Sequence, residues 1–105
     1  MYARVAFFED HEPAEMDELV RRLEERSQHH PEVLPDARSF LVFVDRERGR
    51  SVGITFFDTV EALEAAEPAF SQFPRDYPDS LKGRRVALDV YEVAVVDRPD
   101  QISKG

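Results

Sequence analysis

The stretch Ser39–Thr59, SFLVFVDRERGRSVGITFFDT, contains two strand-like segments separated by a charged turn. β-Branched and aromatic residues fill Ser39–Val44 and Ser51–Phe57, a composition typical of β-strands. Gly49 lies in the turn between them, where a hairpin needs a residue that tolerates a positive φ. Asp58, with a glutamate three residues later, is the N-cap that we predict for a following helix. The stretch therefore predicts a β-hairpin that leads directly into a helix.

The segments on both sides of this hairpin predict further strands and helices. Residues 2–8 alternate in the manner of a strand. From residue 13 to about residue 30, apolar side chains recur at helical spacing and form one narrow stripe on a charged helix. A second helix is expected over residues 59–70, and Pro68 should kink it or end it early. A last strand is expected over residues 86–96.

This β-α-β-β-α-β order predicts an α+β fold of the ferredoxin-like type. Its four-stranded antiparallel sheet would place strand four beside strand one, then three, then two, with both helices on one face. Both sides of the strands carry large apolar residues, and two helices can cover only one of them. Because an exposed apolar sheet normally marks an association surface, we expect a homodimer formed through the other face. We expect one domain over residues 1–97 and a frayed tail over residues 98–105.

Composition narrows the classes of partner and of chemistry. The net charge of −8 disfavours binding to nucleic acid or to an anionic membrane. Because the chain has no cysteine, disulfides, thiolate metal sites and a cysteine nucleophile are excluded. There is no glycine-rich phosphate loop and no serine with the flanking glycines of a nucleophile elbow. The first residues lack the pattern of a signal peptide and no apolar run could span a bilayer, so the expectation is a cytoplasmic protein.

One set of polar residues on the strands is a candidate binding site. If strands one and four are neighbours, Arg4 and Asp89 could lie side by side, with Thr55 and Tyr91 adding a hydroxyl and a phenol. Small residues beside them would leave room for an oxygenated aromatic ligand. The alternative interpretation is a cross-strand ion pair at the dimer seam, which would fix the register of the strands.

The histidines and the aromatic loop residues suggest further roles. His11 precedes the first helix and could act as a general base if a pocket opens there. It could form part of a metal site with Glu9 and Asp10, but the spacing does not require one, and we expect no metal. His29 and His30 are explained by the dipole at a helix C-terminus. Tyr77 would be either a lid over the pocket or an anchor for a loop that its neighbouring prolines stiffen.

Two segments resemble a known family. RSVGITFFDTVEALEAAEPAF at residues 50–70 and RRVALDVYEV at residues 84–93 are similar to the second half of dimeric α+β barrel proteins of the antibiotic-biosynthesis-monooxygenase type. That family includes cofactor-independent oxygenases of aromatic polyketides, haem-degrading enzymes and small isomerases. The haem-degrading members use an Asn, Trp and His constellation, and this chain has neither Asn nor Trp.

Two functions follow as hypotheses. The resemblance implies a small homodimeric enzyme that oxidises an aromatic or quinol-type molecule without a bound cofactor, since the substrate supplies the electrons. His11 would be the base, and the remaining site residues would be Arg4, Thr55, Asp89, Tyr91 and, as the lid, Tyr77. The alternative is a non-catalytic dimeric domain that binds a small metabolite or a partner protein.

Overall fold

The computed structural model of the protein describes residues 1–27, 36–72 and 77–97. Its elements, in chain order, are β1 (Tyr2–Glu9), a 3₁₀ turn (Pro13–Glu15), α1 (Met16–Ser27), β2 (Ala37–Asp45), β3 (Arg50–Phe57), α2 (Val60–Ala65), α3 (Glu67–Gln72), α4 (Asp79–Lys82) and β4 (Arg84–Glu92). None of the helices in this described part is long and apolar enough to cross a membrane. The predicted end of the first helix, His29 and His30, and the predicted tail lie outside the described residues.

The strands form one antiparallel sheet in the order β2-β3-β1-β4. This is the strand order that the sequence predicts, and the ferredoxin-like α+β fold is confirmed. Crossovers through α1 and through the α2–α4 segment connect consecutive strands that are not neighbours in the sheet, whereas β2 and β3 form the predicted hairpin.

The helix that follows the hairpin differs from the prediction in its cap and in its continuity. Thr59, not Asp58, is the N-cap, because its backbone is still extended and its hydroxyl accepts a hydrogen bond from the Ala62 amide at 3.1 Å. Asp58 instead faces Arg38 across 3.4 Å. The expected interruption is present: the helix stops at Ala66 and restarts as α3, which holds Pro68 in its first turn, where no amide hydrogen is needed.

The strand register defines two faces of the sheet. The face that we call the helix face holds Arg4, whose guanidinium contacts α3, and Val44, which packs against α1. On the opposite face, which we call the open face, Val5 pairs with Ile54, and Leu41 also pairs with Ile54 from the other side. Val42 and Val44 lie on the helix face, whereas Val5 lies on the open face.

The buried interior lies between the sheet and the helices. Met16, Leu19 and Leu81 form its cluster, and Phe57 is fully buried beside α3. In contrast, every residue of β4 is exposed in the single chain, on both faces of the strand. The helices thus cover the sheet from β2 to β1 and leave β4 without cover.

Candidate functional site

His11 is buried at the meeting point of three segments that are far apart in sequence. It follows the end of β1, where Asp10 adopts a positive φ of 63° and turns the chain back over the helix face. Its Nδ1 lies 2.8 Å from the carbonyl oxygen of Leu81, and its Nε2 lies 2.8 Å from the hydroxyl of Ser51. Its backbone amide donates to the carbonyl of Gly49 at 3.0 Å. One side chain therefore joins the end of β1, the β2–β3 hairpin and the α4–β4 connection.

These partners determine where the imidazole proton resides. A carbonyl oxygen can only accept, so Nδ1 carries a hydrogen that it donates to Leu81. In the neutral ring Nε2 is then the acceptor, and the Ser51 hydroxyl donates to it. Serine, histidine and carbonyl thus form a directed chain of hydrogen bonds.

Two glycines provide the room that His11 occupies. A side-chain carbon on Gly49 would lie 2.2 Å from the carbonyl oxygen of His11, and one on Gly83 would lie 2.7 Å from its Cε1. Both glycines also have a positive φ, of 63° and 65°, which other residues adopt only with strain. The close approach of the backbone, rather than the turns alone, requires glycine at these positions.

The charged residues beside His11 are paired with each other at the surface. Arg84 Nε donates to Asp10 Oδ2 at 2.8 Å, and this contact raises the pKa of the Arg84 guanidinium above its usual value. Glu9 lies at 4.0 Å from the same guanidinium. Among the described residues, no group of three or more His, Asp or Glu side chains is arranged to hold a metal ion.

Arg4 forms a second buried polar site on the helix face. Its side chain is only 6% exposed, its Nε donates to Glu67 Oε1 at 2.5 Å, and its guanidinium carbon lies 3.8 Å above the centre of the Phe70 ring. Thr55, the residue directly opposite Arg4 on β3, is 2% exposed. A cation held between a carboxylate and an aromatic ring is stabilised by both.

The prediction that Arg4 and Asp89 lie side by side is wrong. Arg4 pairs with Val90, while Asp89 pairs with Val5 on the open face. The cause is a shift in register between Phe7 and Phe8, where Phe8 pairs with Arg85 but Phe7 pairs with Ala87. Had the pairing of Phe8 with Arg85 continued along the strands, Arg4 would have faced Asp89. A one-residue slip moves each side chain to the opposite face.

The other predicted site residues are also divided between the faces. Tyr91 is on the open face with Asp89, because it pairs with Ala3, and it is 54% exposed. Tyr77 lies on the helix side, where its ring packs against the Met16–Leu19–Leu81 cluster and lies 5.6 Å from the Arg22 guanidinium. The packing of its ring is that of the predicted anchor. The structure brings His11, Arg4 and Thr55 to the helix face, with Tyr77 on the same side.

Between the two polar sites, the helix face carries a row of apolar residues around Gly53 and Ala6. Gly53 faces Ala6 on one side and Val42 on the other, and Leu88 follows on β4. Among the described residues, no atom lies within 4 Å of the position that a side-chain carbon on Gly53 would occupy. The sheet is therefore recessed at this point, with Ser51 two residues to one side on β3 and Thr55 two residues to the other.

Two buried polar atoms have no hydrogen-bond partner within the described part of the chain, Tyr77 Oη and Glu15 Oε2. Such groups are rare in folded proteins because leaving them unpaired costs about 1–3 kcal/mol. Both residues belong to the helix layer, since Glu15 immediately precedes α1 and Tyr77 packs against it. A ligand hydroxyl or amine would offer a partner to either.

Sequence reasoning missed three residues that shape these sites. Ser51 reads as the first residue of an ordinary strand, Glu67 as one of many helix charges, and Gly83 as a loop glycine. Their partners lie 40, 63 and about 70 residues away, so local pattern carries no sign of the contact. Only the opposite charges of Arg4 on β1 and of the acidic helix after the hairpin could have suggested the Arg4–Glu67 pair.

The Arg4–Glu67 pair gives a testable difference between two single variants. Glu67→Ala leaves the buried guanidinium without this carboxylate and should lower the free energy of unfolding by about 2 kcal/mol, discounted for the partial exposure of Glu67. Arg4→Met removes the charge while filling similar volume, and should cost clearly less. Urea denaturation of both variants compares them. Equal losses would contradict a role for Glu67 in neutralising Arg4.

Several solved structures share this fold. A dimeric ferredoxin-like protein from an uncultured marine organism has a TM-score of 0.62 and 12% identity, over 92% of this chain and 98% of its own. A monooxygenase from the gene ActVA-Orf6 of Streptomyces coelicolor, in complex with nanaomycin D, has a TM-score of 0.60 and 16% identity, over 92% of each chain. A variant of SnoaB, a cofactor-independent oxygenase from Streptomyces nogalater, has a TM-score of 0.59 and 15% identity, over 90% and 94%.

These likenesses confirm, at the level of the fold, the resemblance to antibiotic-biosynthesis-monooxygenase-type proteins. No protein-family model matches the sequence, and no curated protein matches it.

Proposed function

We propose that the protein is a small homodimeric, cofactor-independent monooxygenase-like enzyme that acts on an aromatic or quinol-type molecule bound against the helix face. The observation that carries this proposal is the recess beside Gly53, which has the Ser51–His11 hydrogen-bond chain on one side and the buried Arg4–Thr55 pair on the other. An apolar recess with polar groups at both ends suits a ring system that carries oxygen substituents. Two oxygenases with the same fold support the assignment.

In this chemistry the protein contributes mainly binding and proton transfer. An ionised phenol or quinol is electron-rich and can itself reduce molecular oxygen, so no bound cofactor is required. The protein would orient the ring, remove the hydroxyl proton and keep water from the reacting carbon. Arg4, already buried and held by Glu67, would lie beside a carbonyl or phenolate oxygen at the far end of the recess.

The proposed homodimer forms through the open face. Leu41, Phe43 and Tyr91 are 46%, 55% and 54% exposed there in the single chain, and Val5 and Ile54 lie between them on the central strands. Soluble monomers rarely expose an apolar surface of this extent. A second copy placed face to face would cover both sheets at once, and a dimeric protein with the same fold supports this arrangement. A cytoplasmic location, and the lack of nucleic-acid and membrane partners, remain predictions from composition.

A ligand screen tests the proposed function. Quinols, anthrones, phenolic acids and acyl metabolites would be compared by the thermal midpoint of unfolding. A ligand at a hundredfold excess over its dissociation constant should stabilise the fold by about 2.7 kcal/mol, which corresponds to roughly ten degrees in a domain of this size. Any quinol or anthrone that binds is then assayed for oxygen consumption. Binding without oxygen uptake, or no binding of any aromatic compound, would contradict the oxygenase assignment.

Filling the recess should abolish this binding while leaving the fold intact. Gly53→Val adds a side chain where no described atom lies within 4 Å, and valine favours a strand, so we expect a thermal midpoint equal to or above that of the wild type. The ligand-induced shift should fall to near zero. Ala94→Val, an enlargement at an exposed position beyond β4, is the matched control and should retain the shift. A Gly53→Val protein that binds as well as the wild type would place the ligand elsewhere.

A non-catalytic binding domain is the alternative, and one observation favours it. Arg4 and His11 already have protein partners, so these two polar groups of the helix face are satisfied without a ligand. In that case a metabolite would bind in the recess with the same thermal shift, and no oxygen would be consumed. The Gly53→Val variant would then lose binding alone.

A further inference from the structure

Both ring nitrogens of His11 are occupied by hydrogen bonds within the protein, so a ligand would have to displace Leu81 or Ser51 to bond to either of them. A base that takes a proton from a substrate must come within hydrogen-bond distance of it, or reach it through one intermediate group. If His11 takes part in proton transfer, Ser51 is the group through which it acts.

Ser51 is placed to make that connection. It lies on the helix face of β3, two residues from Gly53, and consecutive residues on one face of a strand are about 7 Å apart. Its hydroxyl lies 2.8 Å from His11 Nε2, and it makes no other side-chain hydrogen bond within residues 1–27, 36–72 and 77–97. A hydroxyl that donates one hydrogen bond still has lone pairs to accept another. Ser51 is 7% exposed, about as buried as His11, but its oxygen keeps a lone pair that can accept a hydrogen bond from a ligand hydroxyl in the recess.

We propose that Ser51 and His11 form a proton relay that ionises the hydroxyl group of a phenolic ligand bound beside Gly53. The ligand O–H proton passes to Ser51 Oγ while the Ser51 hydroxyl proton passes to His11 Nε2. The products are a bound phenolate and an imidazolium, and Ser51 is again a neutral hydroxyl, so the number of protons is unchanged. Ser51 touches the ligand in this scheme, and His11 acts through it.

The hydrogen bonds of His11 leave Nε2 as the atom that receives the proton. Nδ1 keeps its hydrogen throughout and donates it to the Leu81 carbonyl. Of the two acidic residues adjacent to His11 in sequence, Asp10 is bound to Arg84 and Glu12 is exposed. The phenolate and the imidazolium would lie within one hydroxyl of each other, with little water between them, where opposite charges attract strongly.

The inference rests on the proposed function for its ligand class, but it can be tested without oxygen chemistry. The probe is 4-nitrophenol, whose ionised form is yellow and whose neutral form is not. Bound to excess protein one pH unit below its pKa in water, it should show a phenolate-to-phenol ratio raised at least tenfold, one unit of pKa. Binding itself is measured separately by calorimetric titration, so affinity and ionisation are independent readouts.

Three variants separate the relay from a structural role. Ser51→Ala should bind the probe but leave it neutral, whereas Ser51→Thr keeps the hydroxyl on a residue suited to a strand and should restore the yellow form. His11→Gln can still donate to Leu81 and accept from Ser51 but cannot take up a proton, so it should also bind the neutral probe. Ser39→Ala makes the same truncation as Ser51→Ala on the open face and should leave the absorbance unchanged.

The outcomes distinguish the relay from the wider proposal. A wild-type protein that binds the probe only in its neutral form, or a Ser51→Ala variant that ionises it equally well, would overturn the relay. Failure of the wild type to bind the probe at all would also overturn it, while oxygen uptake with a quinol would leave the proposed function standing. Ionisation that depends on Ser51, with no oxygen uptake from any bound quinol, would support the relay and contradict the oxygenase assignment.

Discussion

His11→Ala is expected to lower the free energy of unfolding by about 4 kcal/mol. The substitution leaves the Leu81 carbonyl and the Ser51 hydroxyl buried without their partner, at about 1–3 kcal/mol for each group. It also leaves a cavity where the imidazole stood, because Gly83, which approaches the ring closely, has no side chain to fill the space. A loss of this size is a large fraction of the stability of a small domain.

The measurement is thermal and urea denaturation followed by circular dichroism, at fixed protein concentration because dimer formation couples to stability. We expect the midpoint to fall by about 20 °C. Glu12→Ala, at an exposed position next in the chain whose side chain makes no capping hydrogen bond, should change little. His11→Gln should retain part of the stability, since its amide can serve both partners. A fully stable His11→Ala protein would show that His11 does not hold the three segments together.

Phe43→Asp is expected to dissociate the dimer while leaving the single chain folded. Phe43 is 55% exposed in the single chain, so an aspartate there costs the monomer little. In a symmetric dimer the same change occurs twice, and each carboxylate would be buried without a partner at about 3 kcal/mol. The total of roughly 6 kcal/mol weakens the dimer about ten-thousandfold.

Analytical ultracentrifugation across a range of concentrations measures this effect, with circular dichroism to verify the fold. Ala65→Asp adds the same charge on the exposed side of α2 and should leave the dimer intact. Ile54→Asp, nearer the middle of the open face, should be more severe and lower monomer stability as well, because Ile54 is already partly buried by its neighbours. A dimer that survives both open-face substitutions would have to use another surface.

Local pattern was sufficient for the elements of this fold. Each of these patterns depends only on residues close together in the chain: the alternation along residues 2–8 and across the hairpin, the apolar stripe of α1, and the proline at position 68. The structure agrees with all of them. The N-cap is Thr59 rather than Asp58 because the end of β3 depends on its pairing with β1, and Phe57 still pairs with Tyr2. A choice between two adjacent capping residues is decided by the strand and not by the helix.

The site was predicted less completely, and the register is the reason. Arg4, Thr55 and His11 could be selected as unusual residues on strands or near a helix start, but their partners could not. One additional residue in β4 between Arg85 and Ala87 moves Asp89 away from Arg4 and places it on the opposite face. The charge of Arg4 is balanced instead by Glu67, which the chain reaches 63 residues later.

The order of strands and helices follows from the sequence alone, and with it the sheet topology and an apolar face that needs a second cover, because periodicity and turn chemistry are properties of short segments. The three-dimensional structure was needed to show which side chains share a face, that His11 is enclosed by Gly49, Gly83, Ser51 and Leu81, and that the sheet is recessed at Gly53. These features depend on cross-strand register and on the position of the helices over the sheet, which are set by contacts between residues distant in the chain.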